Sequence, residues 1–289
     1  MSVQTGVELR PITQADVGAA AQFLHDNLNS RVTPTGWARA MVPPWRVAAP
    51  NHGFLLRTDS GAVVGVYLAF YSGRPLDGEI VRFCNLAAWC VLGDYRSHSL
   101  RLLSAILAQK GYEFTDLSPS GNVVPLNARL KFVSLDTATA MLPNLPWPPS
   151  RGVRILDDPI AIGQTLQGRD LEIYRDHEGT AAARHLVVLR GNQSCYVIFR
   201  RDRRKKLPVF ASILYVSDPE LFRVSARHVF RHLLLRHGVL VTLAERRVTG
   251  RCPGPSVLLR TPRPKMYRSG RLRPDQVDYL YSELTCVAW

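Results

Sequence analysis

The sequence is short of acidic residues, of lysine and of cysteine, and it has no long apolar run. Asp and Glu number 23 against 37 Lys and Arg, leaving a net charge of +14 and a pI near 10.1. Only 5 of the 37 cations are lysine, a ratio that a GC-rich genome also produces. The acid deficit is a separate matter. It suits a polyanionic partner, and equally a basic enzyme that handles phosphorylated cofactors. The five cysteines (Cys84, Cys90, Cys195, Cys252, Cys286) are odd in number and lack paired spacing. Reduced thiols and a cytoplasmic location are therefore expected. Cys84 and Cys90 fall on one face of a strand, which suits packing better than zinc binding. No apolar stretch approaches the ~20 residues that span a bilayer. The opening MSVQTGVELR lacks the basic and apolar regions of a secretory signal. A Walker A loop, a dinucleotide fingerprint and a G-x-S-x-G elbow are all missing, which disfavours the chemistries those motifs serve.

What is present is globular in composition, with 46% hydrophobic and 21% charged residues. A length of 289 residues allows one large domain or two ordinary ones. Residues 1–150 carry 12 basic and 10 acidic side chains, and residues 151–289 carry 25 and 13. Nearly all the excess charge thus belongs to the second half, which implies an anionic acceptor or a nucleic acid such as tRNA on that side. Pro143-Asn-Leu-Pro-Trp-Pro-Pro149 fixes an extended segment near the midpoint. The expected organisation is a domain over 1–142, a linker over 143–152 and a basic domain over 153–289.

Hydrophobic spacing predicts a strand at Val7–Ile12 and a helix at Val17–Leu28 capped within Thr13–Asp16. A hairpin is expected from Gly53–Thr58 and Val63–Tyr71 around Asp59-Ser60-Gly61, then a strand at Ile80–Val91. A helix follows over Ser97–Gln109, a strand at Tyr112–Leu117, a short helix at Asn122–Leu130 and a final strand near Phe132–Ala140. In the second half, strands are expected at Arg184–Leu189, Cys195–Arg200, Pro208–Val216 and Val239–Ala244. Ser217-Asp218-Pro219 opens a helix over Glu220–Arg236. Strand, Asp, amphipathic helix, Gly and strand recur in both halves, which suggests a structural repeat. The fold class is α/β, an α+β arrangement with mixed sheets.

The segment from Asp94 to Arg101 carries a strand into a helix N-terminus. First-turn N–H groups and the helix dipole favour an anion there, and Arg96 adds charge. The pattern Val91-x-x-x-Tyr95-Arg96-x-x-Ser99-x-Arg101-Leu102-Leu103 resembles the pyrophosphate loop of the GNAT acyl-CoA N-acyltransferase superfamily, whose usual form is R/Q-x-x-G-x-G/A. Asn122-Val-Val-Pro-Leu-Asn127-x-x-Leu130-Lys131-Phe132 is similar to that family's second block. The resemblance covers the first half, and the second half matches only in its later element order. Ser99 and Arg101 replace both loop glycines, Asn127 stands where a tyrosine acid is frequent, and Lys131 stands where glycine is usual.

The resemblance implies two GNAT-like domains in tandem, the second a degenerate copy. It also implies acetyl-CoA or another acyl-CoA as co-substrate and an amine acceptor that attacks the thioester directly. It assigns Val91, Arg96, Ser97, His98, Ser99, Leu100, Arg101 and Asn122 to the cofactor. For the base that takes the ammonium proton, Glu79 and Asp116 are preferred over His98. Asn85 lies mid-strand, where some relatives carry a catalytic Glu, and is expected to face the acceptor. Two other outcomes share the fold: a Fem-type transferase using aminoacyl-tRNA, and a non-catalytic binding protein.

Three further features have plainer explanations. Arg200-Arg201-Asp-Arg203-Arg204-Lys205-Lys206 fits a solvated hairpin tip. Arg223, Arg227 and Arg231 form one face of the 220–236 helix, opposite an apolar stripe. His228-x-x-x-His232 has ligand spacing, but neighbouring arginines disfavour a cation, so no metal is expected. Asp275–Trp289 reads as a docking helix with an apolar tail.

Overall fold

A computed structural model describes residues 6–149, 151–204, 207–251 and 256–289. The chain divides into two units, neither contiguous in sequence. Unit 1 comprises Met1–Ser134, Lys265–Leu272 and Tyr281–Trp289, and unit 2 comprises Leu135–Pro264 and Arg273–Leu280. Residues 135–142, expected in the first domain, belong to unit 2, and two segments from the far end of the chain belong to unit 1.

Unit 1 begins with strand β1 (Val7–Pro11), followed by helices α1 (Val17–Asn27) and α2 (Pro34–Met41). Thr13 and Asp16 form a capping box before α1, with Thr13 Oγ1 donating to Asp16 Oδ2 at 2.7 Å. Helix α1 buries Val17, Ala20, Ala21 and Leu24 at helical spacing. Thr33 caps α2 and Pro34 opens it. Strands β2 (Gly53–Thr58), β3 (Val63–Leu76) and β4 (Glu79–Val91) follow as two successive hairpins. Asp77 and Gly78 at the second turn both have positive φ, as a tight hairpin of this twist needs. Helix α3 (Ser99–Leu107), strand β5 (Glu113–Asp116), helix α4 (Val123–Arg129) and strand β6 (Val133–Ser134) complete the run.

Unit 2 contains strands β7 (Thr139–Pro143) and β8 (Val153–Leu156), then helices α5 (Pro159–Thr165) and α6 (Gly168–His177). Strands β9 (Arg184–Arg190), β10 (Gln193–Arg204) and β11 (Leu207–Val216) lead to helix α7 (Pro219–His237). Strand β12 (Val241–Glu245), helix α8 (Arg246–Thr249) and strand β13 (Val257–Leu258) come next. Asp218 caps α7, and Gly238 ends it in the left-handed conformation, as the sequence signals require. The remaining elements, strand β14 (Met266–Arg268) and helix α9 (Glu283–Cys286), fall in the segments that return to unit 1.

Each unit is built on a seven-stranded mixed sheet. The orders are β1-β2-β3-β4-β5-β14-β6 and β8-β9-β10-β11-β12-β7-β13. The two orders match position by position, with one parallel pair each, β4 with β5 and β11 with β12. In each sheet the sixth strand comes from elsewhere in the chain, β14 in one and β7 in the other. The single strand expected near Phe132–Ala140 is therefore two strands, β6 and β7, in different sheets. Asp136 makes the break by accepting from Ala138 N at 2.9 Å, an Asx turn between them.

The apolar core of unit 1 joins Leu102, Leu103 and Ile106 of α3 to Leu56, Tyr67, Cys84, Leu86 and Phe114 of the sheet. That of unit 2 joins Phe222, Val229 and Leu233 of α7 to Val197, Phe199, Ala211 and Ile213. Cys84, Cys90, Cys195 and Cys286 are free thiols, and Cys252 lies outside the described residues. Among the described residues, no helix is long and apolar enough to cross a membrane.

Gly53 sets the start of β2. Its φ is +111°, and a Cβ there would lie 2.1 Å from the Tyr67 carbonyl oxygen, which the backbone cannot yield. Gly53→Ala is expected to cost about 3 kcal/mol or more in a urea unfolding titration. A loss under about 1 kcal/mol would contradict this close approach.

Candidate functional site

Strands β4 and β5 pair in parallel from Phe83 with Glu113 to Leu86 with Asp116. Strand β5 ends there. Strand β4 continues to Val91 and pairs with β3 alone. The register shifts between Val66 and Leu68, so Ala88 and Trp89 together face Tyr67. This is a β-bulge, and Ala88 sits at a φ of 54°, a conformation that costs about 1–2 kcal/mol for a residue with a Cβ. Bulges bend a strand and end its pairing, which is what separates β4 from β5 at this point. Trp89 stacks on Tyr67 with ring centroids 4.7 Å apart.

A buried polar network occupies the end of β5. Asp116 is 4% exposed and accepts from Asn127 Nδ2 at 2.8 Å. Burial, reinforced by the nearby Glu283 carboxylate, raises the Asp116 pKa to about 7 against hydrogen bonds that oppose the rise. Asn85 and Asn127 are fully buried. Thr115 Oγ1 donates to Asn85 Oδ1 at 2.9 Å, and Asn85 Nδ2 donates to Glu283 Oε2. Ser118 Oγ donates to Glu283 Oε1 at 2.6 Å. Asn127 Oδ1 has no hydrogen-bond partner, an uncompensated acceptor beside Asp116. Burial, Asp116, Cys84 and Glu283 together push the Tyr67 hydroxyl far up, so it stays protonated.

Of the expected site residues, the structure brings together Asp116 and Asn85. It does not bring Glu79 to them. Glu79 opens β4 seven positions before Leu86, roughly 23 Å along the strand at ~3.3 Å per residue. It is exposed and pairs with Arg271 at 3.4 Å. Val91 ends β4, and Gly93–His98 forms a 3-10 turn that leads into α3. Arg96, Ser97 and Leu100 are exposed, and His98 and Ser99 are half-buried. No side chain caps the α3 N-terminus. Arg101 donates to the Val7 carbonyl at 2.9 Å and meets His98 Nδ1 at 3.2 Å. Asn122 is exposed before α4. Glu283 and Tyr67 had no local signal. Glu283 lies 198 positions from Asn85, and Tyr67 sits in a continuous apolar strand.

Elsewhere, a cavity of about 150 Å³ lined by Met41, Trp45, Asn51, His52 and Tyr71 is smaller than most small-molecule pockets. In unit 2, the basic run is less uniform than it reads. Arg200 and Asp202 are buried, Asp202 holds Arg263 at 3.1 Å, and Lys205 and Lys206 lie outside the described residues. On α7, Arg223 pairs with Glu220 at 2.8 Å, and Arg227 lies over the Trp147 ring. His232 meets Asp157 at 3.0 Å, and with His237 their ligand atoms lie within 4.8 Å of one another. Arg236 reaches the same Asp157 carboxylate at 3.9 Å.

No family model and no curated protein matches the sequence. Solved structures do match the fold. A GCN5-related N-acetyltransferase from Anabaena variabilis aligns with a TM-score of 0.56 and 11% identity, covering 91% of this chain and 72% of that one. One from Kribbella flavida aligns at 0.55 and 13% identity over 92% and 72%. Saccharomyces cerevisiae N-myristoyltransferase with bound myristoyl-CoA aligns at 0.53 and 12% identity over 99% and 86%. The chain has the fold of the GCN5-related N-acetyltransferases. Its two mixed sheets share one strand order.

The raised Asp116 value has a signed consequence. The folded protein binds this proton more tightly than the unfolded chain does. The associated stability is full below the ordinary carboxylate range and is lost as pH rises through about 7. Asp116→Asn cannot ionise. Its urea midpoint should fall less than the wild-type midpoint between pH 5 and pH 8, and an equal fall in both proteins would contradict the assignment.

Proposed function

We propose that the protein is an acyl-CoA-dependent N-acyltransferase whose chemistry lies in unit 1. The observation that carries this reading is a buried proton acceptor, Asp116, at the point where β4 outruns β5. The strand edge beyond that point leads through the Gly93–His98 3-10 turn into α3, whose N-terminus no side chain caps. These two features serve the two ends of one reaction. The α3 N-terminus, with Arg96 and the hydroxyls of Ser97 and Ser99, suits a pyrophosphate. The unpaired edge of β4 up to Val91 offers backbone donors to a pantetheine arm and a thioester carbonyl. We assign Asn122 and Leu100 to the same cofactor path, and His98 to the pyrophosphate. Arg101 donates to the Val7 carbonyl and so ties the helix start to β1.

In the reaction, the acceptor nitrogen attacks the thioester carbonyl carbon. The C–N bond forms, the C–S bond breaks, and the thiolate of CoA leaves. Asp116 takes the proton that the attacking ammonium must lose. A carboxylate with a proton affinity near neutrality is better matched to that task than an ordinary one. The unpartnered Asn127 Oδ1 can accept from the amine N–H. Asn127 cannot supply an acidic proton, so the leaving thiolate takes its proton from solvent. The acceptor is a small amine carrying negative charge, a reading supported by the excess of basic residues in the second half. Unit 2 we read as a degenerate copy of the same domain, since α7 has no loop pattern like the one before α3.

Isothermal titration with acetyl-CoA and with longer acyl-CoAs tests the reading. Saturable binding is expected, weakened about tenfold in Arg96→Ala through loss of one charged contact. No binding at millimolar ligand would sink it. With a panel of anionic amines, Asp116→Asn is expected to lower kcat/KM by about a hundredfold and to leave acetyl-CoA affinity unchanged.

A further inference from the structure

Unit 2 holds a cluster of titratable side chains to which the proposed reaction gives no role. Asp157 lies at the corner between β8 (Val153–Leu156) and α5 (Pro159–Thr165). His232 and His237 lie in the last two turns of α7 (Pro219–His237). Val153 and Ile155 of β8 pack on the same apolar core as Val229 and Leu233 of α7, and this brings the β8 corner to the helix end. His232 Nε2 meets Asp157 Oδ2 at 3.0 Å across 75 positions of sequence. One ligand atom from each of Asp157, His232 and His237 lies within 4.8 Å of the other two. The His228–His232 spacing weighed in the sequence is not the one the fold uses, because the cluster takes His237 and leaves His228 out.

The donor set is that of a metal centre. Two imidazoles and one carboxylate suit a borderline divalent ion such as zinc, which many sites hold with three protein ligands and an open fourth position. A tetrahedral ion with bonds of about 2.0 Å sets its ligands about 3.3 Å apart. Asp157 and His232 already stand near that separation, and a small side-chain rotation brings in His237. His237 Nε2 is buried and, among the described residues, has no hydrogen-bond partner, so the protein alone does not satisfy this ring. Burial lowers the proton affinity of both histidines, which are therefore neutral at pH 7 and keep the lone pair that a metal needs. Arg236 reaches Asp157 only at 3.9 Å from a side chain that is 69% exposed, a weak contact that an ion displaces. Arg231 acts on His232, and Arg184 and Arg201 act on His237. Their charge weakens the hold on a cation without forbidding it, since three neutral imidazoles hold zinc elsewhere. The C-terminus of α7 carries negative partial charge that offsets part of this, and His237 is its last residue.

We infer that Asp157, His232 and His237 bind a zinc ion that ties the β8–α5 corner to the C-terminal end of α7. All three ligands belong to unit 2. The Asp157–His232 bond holds two of them together before the ion arrives, and the ion replaces that bond with one coordinate bond to each. The fourth position is left to water. Hard ions such as Mg2+ prefer oxygen ligands and do not compete for the imidazoles. The site is independent of the acyl transfer proposed above.

The test uses the untagged full-length protein, stripped of metal and titrated with Zn2+ against a chromophoric chelator. One ion per chain is expected, with a Kd on the order of 1 μM, and Mg2+ should not displace it. The melting temperature should rise with Zn2+, and Co2+ should show the visible bands of a four-coordinate ion. Asp157→Ala and His237→Gln, checked for folding by circular dichroism, should each weaken zinc about a hundredfold and lose the thermal shift. His228→Gln, on the same helix, should bind as the wild type does. No saturable binding by the wild type overturns the inference. So does equal binding in the wild type and both ligand variants, which means adventitious surface zinc only, and so does an equal loss in His228→Gln. If neither ligand variant folds, the wild-type cobalt spectrum decides, and a six-coordinate spectrum there overturns the inference.

Discussion

A carboxyl group is buried at the last paired position of β5, and unit 1 is arranged around the cost of burying it. Asp116 cannot be placed there without partners, so Asn127 comes from α4 to donate to it. Beyond this position β4 carries the bulge at Ala88 and pairs with β3 alone. Ala88 accepts a disfavoured backbone angle there, a local cost that the surrounding sheet has to overcome. Strain, burial and unpaired backbone edge thus coincide at one fork. Each is unfavourable taken singly.

The two sheets share one strand order, and in both the sixth strand is out of sequence. Strand β7 follows β6 by a few residues yet belongs to the other unit's sheet, and β14 lies far along the chain yet closes the first sheet between β5 and β6. Neither unit can therefore be finished until most of the chain has been made. The same connectivity delivers α9 to unit 1 and with it Glu283. A continuous first domain of 142 residues would lack both β14 and this carboxylate.

Much of the local structure could be read directly. The capping box at Thr13 and Asp16, the Asp218–Pro219 helix start and the Gly238 stop are short-range chemistry, and each is where its residues predict. The strand–turn–helix at 91–101 and the buried Asp116 were also legible, as a motif and as an acid near its end. Glu79 misled because an acid at the start of β4 and an acid at the end of β5 look alike in sequence, while the strand length separates them. The bond from Arg101 to the Val7 carbonyl was not legible, because a loop pattern says nothing about a strand that lies far from it in sequence. The break between β6 and β7 was hidden because the apolar pattern runs through it without a glycine or proline.

The sequence by itself determined the secondary elements, the class of fold and the half of the chain that carries the charge. These depend on hydrophobic period, caps and composition, all local or summed quantities. The tertiary structure alone decided which strands complete each sheet and which acids meet. Those outcomes depend on contacts such as Asn85 with Glu283, across 198 positions, for which a linear pattern has no signature. A buried glutamate near the end of a chain reads as one more surface charge until the fold shows what surrounds it.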